Sequence, residues 1–192
     1  MWATVLWDQE MAPLQWGVVL VAAGTGAILD GVWRRIPNGL TAPVLVGGLA
    51  WAAWVGGWAG LADSAAACAL LAAPYVLLFL WGGGGAGDAK LMGALGAWLG
   101  LVSGMVVLAS VAAAGVVIGA GWALAQGRFR TVAARVGQVV WQWALWAMTF
   151  GRFKPDPAPA ASAAGATKMP YGIAILVGVS VAAMGVYLWR TQ

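Results

Sequence analysis

Apolar stretches long enough to cross a lipid bilayer follow one another along this chain, and almost no charge interrupts them. One covers residues 14–33, and the longest continues from 89 to about 125. Only 8% of the residues are charged and 62% are hydrophobic, where an ordinary soluble domain carries about 25% charged residues. A water-soluble fold could not cover itself with so few charges, whereas lipid-facing surface is apolar by requirement. The 29 glycines and 14 tryptophans agree with a bilayer setting. Small residues let membrane helices approach closely, and tryptophan favours the headgroup boundary. The expected fold is an all-α polytopic transmembrane bundle, forming a single membrane-embedded domain over residues 1–192.

A spanning helix needs about 20 mostly apolar residues. The first candidate, 14–33, has Pro13 where a first turn tolerates it. Arg34 and Arg35 close it, and Pro37-Asn38-Gly39 reads as a turn. Thr41 offers a cap for a second span over 42–60, and Asp63 with Ser64 for a third over 65–81. A glycine run, Gly82 to Gly85, then precedes Ala86-Gly87-Asp88. The stretch after it is too long for one span. It divides near Gly100 into a short fourth helix, 89–99, and a full span, 101–125. Gly96, Gly100 and Gly104 would form one small-residue stripe if the helix ran straight. Residues 126–169 are expected to form a loop. It holds a basic stretch (Arg128, Arg130, Arg135), an apolar patch at 139–150 with Trp141, Trp143 and Trp146, and a Pro/Ala-rich linker at 155–165. The patch is too short to span and reads as an interfacial helix. A last span covers 171–189, about six in all.

Positive charges set the orientation. The loop with Arg34 and Arg35 and the segment from Arg128 to Lys168 are expected in the cytoplasm, with Asp8, Glu10 and Asp63 outside. Six spans then leave both termini outside. Acidic residues and no Lys or Arg precede the first span, the reverse of a signal peptide's n-region, so that span is expected to stay as an anchor. The net charge of +4 is explained by topology and is no sign of a nucleic-acid partner. With no histidine and one cysteine, Cys68, a metal site of the usual zinc ligands is excluded.

Among six acidic residues, Asp30 and Asp88 stand apart. Asp30 lies in the last turn of the first span and Asp88 at the start of the fourth, on the same side of the membrane. Ionisable groups at that depth are functional candidates by default. Alone, Asp30 could pair with Arg34 four residues on, and Asp88 could merely cap the helix from Ala89. Together they suggest a carboxylate dyad, one member activating water and the other donating to a carbonyl. A helix N-terminus favours Asp88 as the ionised member. Asp30, near a C-terminus, is then the acid unless Arg34 cancels that preference. Gly85 and Gly87 expose backbone beside Asp88, where an extended substrate can approach.

The segment Gly85-Ala86-Gly87-Asp88-Ala89-Lys90-Leu91, with Gly93-Ala94-Leu95-Gly96 after it, resembles the GxGD motif of bacterial type IV prepilin peptidases. Asp30 with Arg34-Arg35-Ile36-Pro37-Asn38 is similar to that family's first-aspartate motif, and Lys168-Met169-Pro170-Tyr171-Gly172 to its third. The resemblance implies an aspartic endopeptidase of the inner membrane that works without metal or cofactor. It would remove leaders from prepilins or pseudopilins on the cytoplasmic side, with Asp30 and Asp88 as the catalytic pair. Lacking the N-terminal methylation segment and its paired cysteines, the chain resembles the short form of tight-adherence (Flp-type) pilus systems. Asn38, Lys90, Pro170 and Tyr171 are candidates for substrate contact or site shaping. Lys90, two positions from Asp88, is expected to point away toward headgroups, Asn38 to serve its turn, and Pro170 and Tyr171 to open the last span. Other readings are a GxGD protease of the preflagellin or signal-peptide-clearing kind, and a non-catalytic assembly factor or small proton-coupled transporter with two buried acids. Ile36-Pro37-Asn38 favours the pilin branch.

Overall fold

A computed structural model of the chain describes residues 12–80, 85–127, 129–149 and 171–190. Five helices make up the described chain: α1 (Ala12–Trp33), α2 (Asn38–Leu80), α3 (Ala86–Ala125), α4 (Phe129–Met148) and α5 (Gly172–Arg190). Four are long and apolar enough to cross a membrane, over Pro13–Trp33, Asn38–Leu80, Ala86–Ala125 and Gly172–Trp189. Where sequence suggested about six spans, the described residues hold four such helices, two of them double length and each broken once at a glycine.

The breaks follow from length. A straight helix of 43 residues would rise about 65 Å, twice a hydrocarbon core of about 30 Å. Gly57 interrupts α2 with φ 56° and ψ −145°, and Gly100 interrupts α3 with φ 68° and ψ −179°. Glycine alone enters that left-handed region without a Cβ penalty. Each helix folds back at its break. Asn38 and Val76, at opposite ends of α2, line one cavity beside Lys90. Gly96 and Gly104, on either side of Gly100, both lie against Ala67. The small-residue stripe of a straight helix therefore does not form: Gly96 meets the Ala67 backbone and Gly104 the Leu71 side chain.

Two sequence expectations are corrected here. Pro37-Asn38-Gly39 is the first turn of α2, with the Leu40 and Thr41 N–H groups donating to the Pro37 carbonyl, so Thr41 lies inside the helix and is buried. Asp63 and Ser64 do not cap a third span, because α2 is helical through them. They serve α3 instead. In an unbroken helix the Leu101 N–H would bond to the Ala97 carbonyl, and the turn at Gly100 opens that bond. Ser64 Oγ donates to the Ala97 carbonyl, and the Leu101 N–H donates to Asp63 Oδ2 at 3.2 Å. Two consecutive side chains thus satisfy both groups that the break leaves open.

The segment 86–99 is the centre of the bundle. Every residue from 91 to 97 is buried, and Leu91, Met92 and Leu95 pack with Val19 of α1, Leu71 of α2, Val107 and Val111 of the second arm of α3, and Ile175 and Val179 of α5. Trp98 ties it to the first arm of α2 by donating from Nε1 to the Val44 carbonyl at 2.7 Å, while its ring stacks on Trp51. Outside this core, α4 takes in Arg130 and Arg135 as well as the three tryptophans, so it starts at Phe129, well before the 139–150 helix expected, and ends at Met148. The Pro/Ala linker and Lys168, Met169 and Pro170 lie outside the described residues.

Removing the Ser64 hydroxyl leaves the Ala97 carbonyl unpaired in an apolar core. The Ser64→Ala variant is expected to lose about 1–3 kcal/mol of stability, read as a lower unfolding midpoint in detergent. An unchanged midpoint would show that the break at Gly100 holds without it.

Candidate active site

The geometry that joins the aspartates begins one helical turn away from them. Gly26 of α1 packs on Leu91 of α3 so closely that a Cβ on Gly26 would stand 2.7 Å from a Leu91 methyl. Asp30 lies four residues beyond Gly26, and Asp88 three before Leu91. On helices those spacings keep a side chain on the same face. The contact between Gly26 and Leu91 therefore turns both carboxyls toward each other. They line one cavity of about 550 Å³, and both residues are half-buried.

Each aspartate sits at a helix N-terminus. Gly85 occupies the position before α3, so Asp88 belongs to the first turn and is not the cap that sequence allowed. The Asp88 N–H donates to the Gly85 carbonyl at 3.2 Å. Asp30, although near the C-terminus of α1, receives the first N–H of α5: Gly172 N donates to Asp30 Oδ2 at 2.9 Å. The electrostatic asymmetry expected from the helix ends is therefore offset, since a helix N-terminus favours negative charge at both positions.

Glycines make these approaches possible. A Cβ on Gly172 would stand 2.9 Å from Ala27 Cα and 3.0 Å from Asp30 Cβ. A Cβ on Gly85 would stand 2.9 Å from Asp88 Oδ2. At Gly87 the bare backbone is met by Ile36, whose Cβ would lie 3.0 Å from an added Cβ. The α1–α2 connection thus packs on Gly87, while Gly85, Ala86 and Gly87 line the cavity beside Asp88.

Lys90 does not point away. Its Nζ donates to Asn38 Oδ1 at 2.9 Å, and both residues line the aspartate cavity with the Arg34–Pro37 turn. Sequence reasoning compared Lys90 with Asp88 along one helix and so missed a partner on another. Tyr171 stands apart from the cavity lining. Its ring meets Tyr75 edge to face, with centroids 5.9 Å apart, and its hydroxyl rests where a Cβ on Gly115 would be. Pro170 falls outside the described residues. Ile36 and Gly172 are visible in sequence as members of motifs, but their close packing, like that of Gly26, leaves no local signal there. Among the described residues, no three His, Cys, Asp or Glu side chains gather as a metal site would require.

Fold and site together define a helical membrane protein with two carboxyls facing a shared cavity at one end of the bundle. The sequence model of the type IV leader peptidase family matches residues 17–120, and the chain belongs to that family. It is accordingly a leader peptidase of the prepilin type. The matched region holds Asp30, Asp88, all of α2 and α3 as far as Ala120, so both glycine breaks lie within it. Gly172 lies beyond it yet bonds to Asp30. No curated protein and no solved structure is significantly similar to the chain.

A methyl group at Gly172 would push α5 off Asp30. Gly172→Ala is expected to slow leader processing about tenfold or more, the equivalent of one lost hydrogen bond to a charged group at about 1.5–3 kcal/mol. Processing rates of the purified variant check this, with its unfolding midpoint as the control.

Proposed function

We propose that the chain is an aspartic endopeptidase of the GxGD type that removes leaders from prepilins or pseudopilins at the cytoplasmic face of a bacterial inner membrane. The observation that carries the reading is the joint exposure of Asp30 and Asp88 to one cavity. A carboxyl pair of this kind works with one member ionised and the other protonated, since two like charges side by side are costly. The ionised member takes a proton from water as the oxygen attacks the scissile carbonyl, and the protonated member donates to the carbonyl oxygen. Collapse of the tetrahedral species breaks the C–N bond, and the leaving nitrogen takes up a proton from the dyad. Water supplies the only new atoms, and no cofactor enters the step.

Gly85 and Gly87 shape the wall beside Asp88, and Asn38 with Lys90 forms a polar rim on the same cavity. Tyr171 acts from the position just before α5, and Pro170 precedes it in the sequence. With folded-back arms at Gly57 and Gly100, α1, α2, α3 and α5 make six crossings, leaving both termini outside. Arg34, Arg35 and the basic stretch at 128–135 then lie on the cytoplasmic side, which the positive-inside tendency supports.

Asp30→Asn and Asp88→Asn test the dyad. Each is expected to lower processing of a co-expressed prepilin by about 10²–10⁴-fold, the range for one general acid or base. Gel mobility and the mass of the new N-terminus are the readouts. Processing at the wild-type rate in either variant would sink the two-carboxylate mechanism, and pilus assembly without cleavage would point to a scaffold.

A further inference from the structure

A second cavity, of about 420 Å³, lies beside the carboxylates between the two arms of α2 and the first arm of α3. The two cavities share Asn38 and Lys90. Beyond that hydrogen-bonded pair the character of the walls changes. Leu45, Ala72, Val76, Gly93 and Ala94 present apolar and small surfaces. Cys68, the chain's one cysteine, is half-buried on the same wall.

Continuity with the hydrolytic centre identifies the occupant. Gly93 is five residues past Asp88, about 7.5 Å along a helix, a distance that two or three residues of extended chain cover. A polypeptide cut at the carboxyls must pass the Lys90–Asn38 rim and, on one flank, enter this groove. A polar flank would be desolvated there without partners. An apolar helix finds small-residue walls of the kind on which membrane helices pack closely. Water gains little in an apolar recess. We propose that the groove binds the apolar helical segment flanking the cut bond in the substrate, and so fixes which bond reaches Asp30 and Asp88. The inference rests on the peptidase reading.

Cys68 supplies the test without altering the groove. In Asp88→Asn, which holds uncut substrate, a co-expressed prepilin carries single cysteines scanned through its leader and apolar helix, and a mild oxidant joins those that meet Cys68. Cross-links are expected at apolar-helix positions three and four residues apart, one helix face, with none in the polar leader. Ala72→Leu, which fills the groove, is expected to raise KM about tenfold while kcat changes less. Efficient cutting by the wild type with no cross-link at any scanned position would overturn the groove and leave the peptidase reading standing. An unchanged KM in a folded Ala72→Leu protein would likewise assign the groove to lipid. Absence of cutting by the wild type would overturn both.

Discussion

No backbone polar group can stay unpaired in lipid, and the whole architecture bends to that requirement. Each such group costs several kcal/mol in hydrocarbon. Where α3 breaks, another element takes over the bond that the break opens. At Gly100 the open bond runs between Leu101 N and Ala97 O, and Asp63 and Ser64 close it from the neighbouring helix. That repair lets α3 fold back, and folding back brings Gly115 to Tyr171 at the end of the bundle where Asp30 and Asp88 meet.

The site is held by absences of side chain as much as by side chains. Gly26 lets α1 settle on Leu91, Gly172 lets α5 reach Asp30, and Gly87 lets the α1–α2 connection close over the start of α3. Three helices thus converge on two carboxyls. The family match makes the chain a leader peptidase in general, and the close fit at Gly172 joins a residue beyond the matched region to Asp30.

Sequence alone was informative where chemistry is rare and vague where packing decides. Asp30 and Asp88 stood out because charge is scarce in the spans, and both do line one cavity. The division of α3 at Gly100 was legible because the apolar run exceeded one bilayer. The turn in α2 was misplaced to 61–64, since Asp63 and Ser64 are good cap residues and their use by a different helix leaves no local trace. The same limit hid the hydrogen bond from Lys90 to Asn38, a pairing across 52 positions. Helix α4 was underestimated because its basic first half lacks the apolar run that marked its second.

The shortness of the central arm has a consequence for the lipid itself. Residues 86–99 rise about 21 Å, some 9 Å less than the hydrocarbon they stand in. Such a mismatch is relieved by drawing the leaflets together locally. Asp88 begins that arm, so the thinning that such a mismatch favours falls at the end of the bundle where the two carboxyls line their cavity.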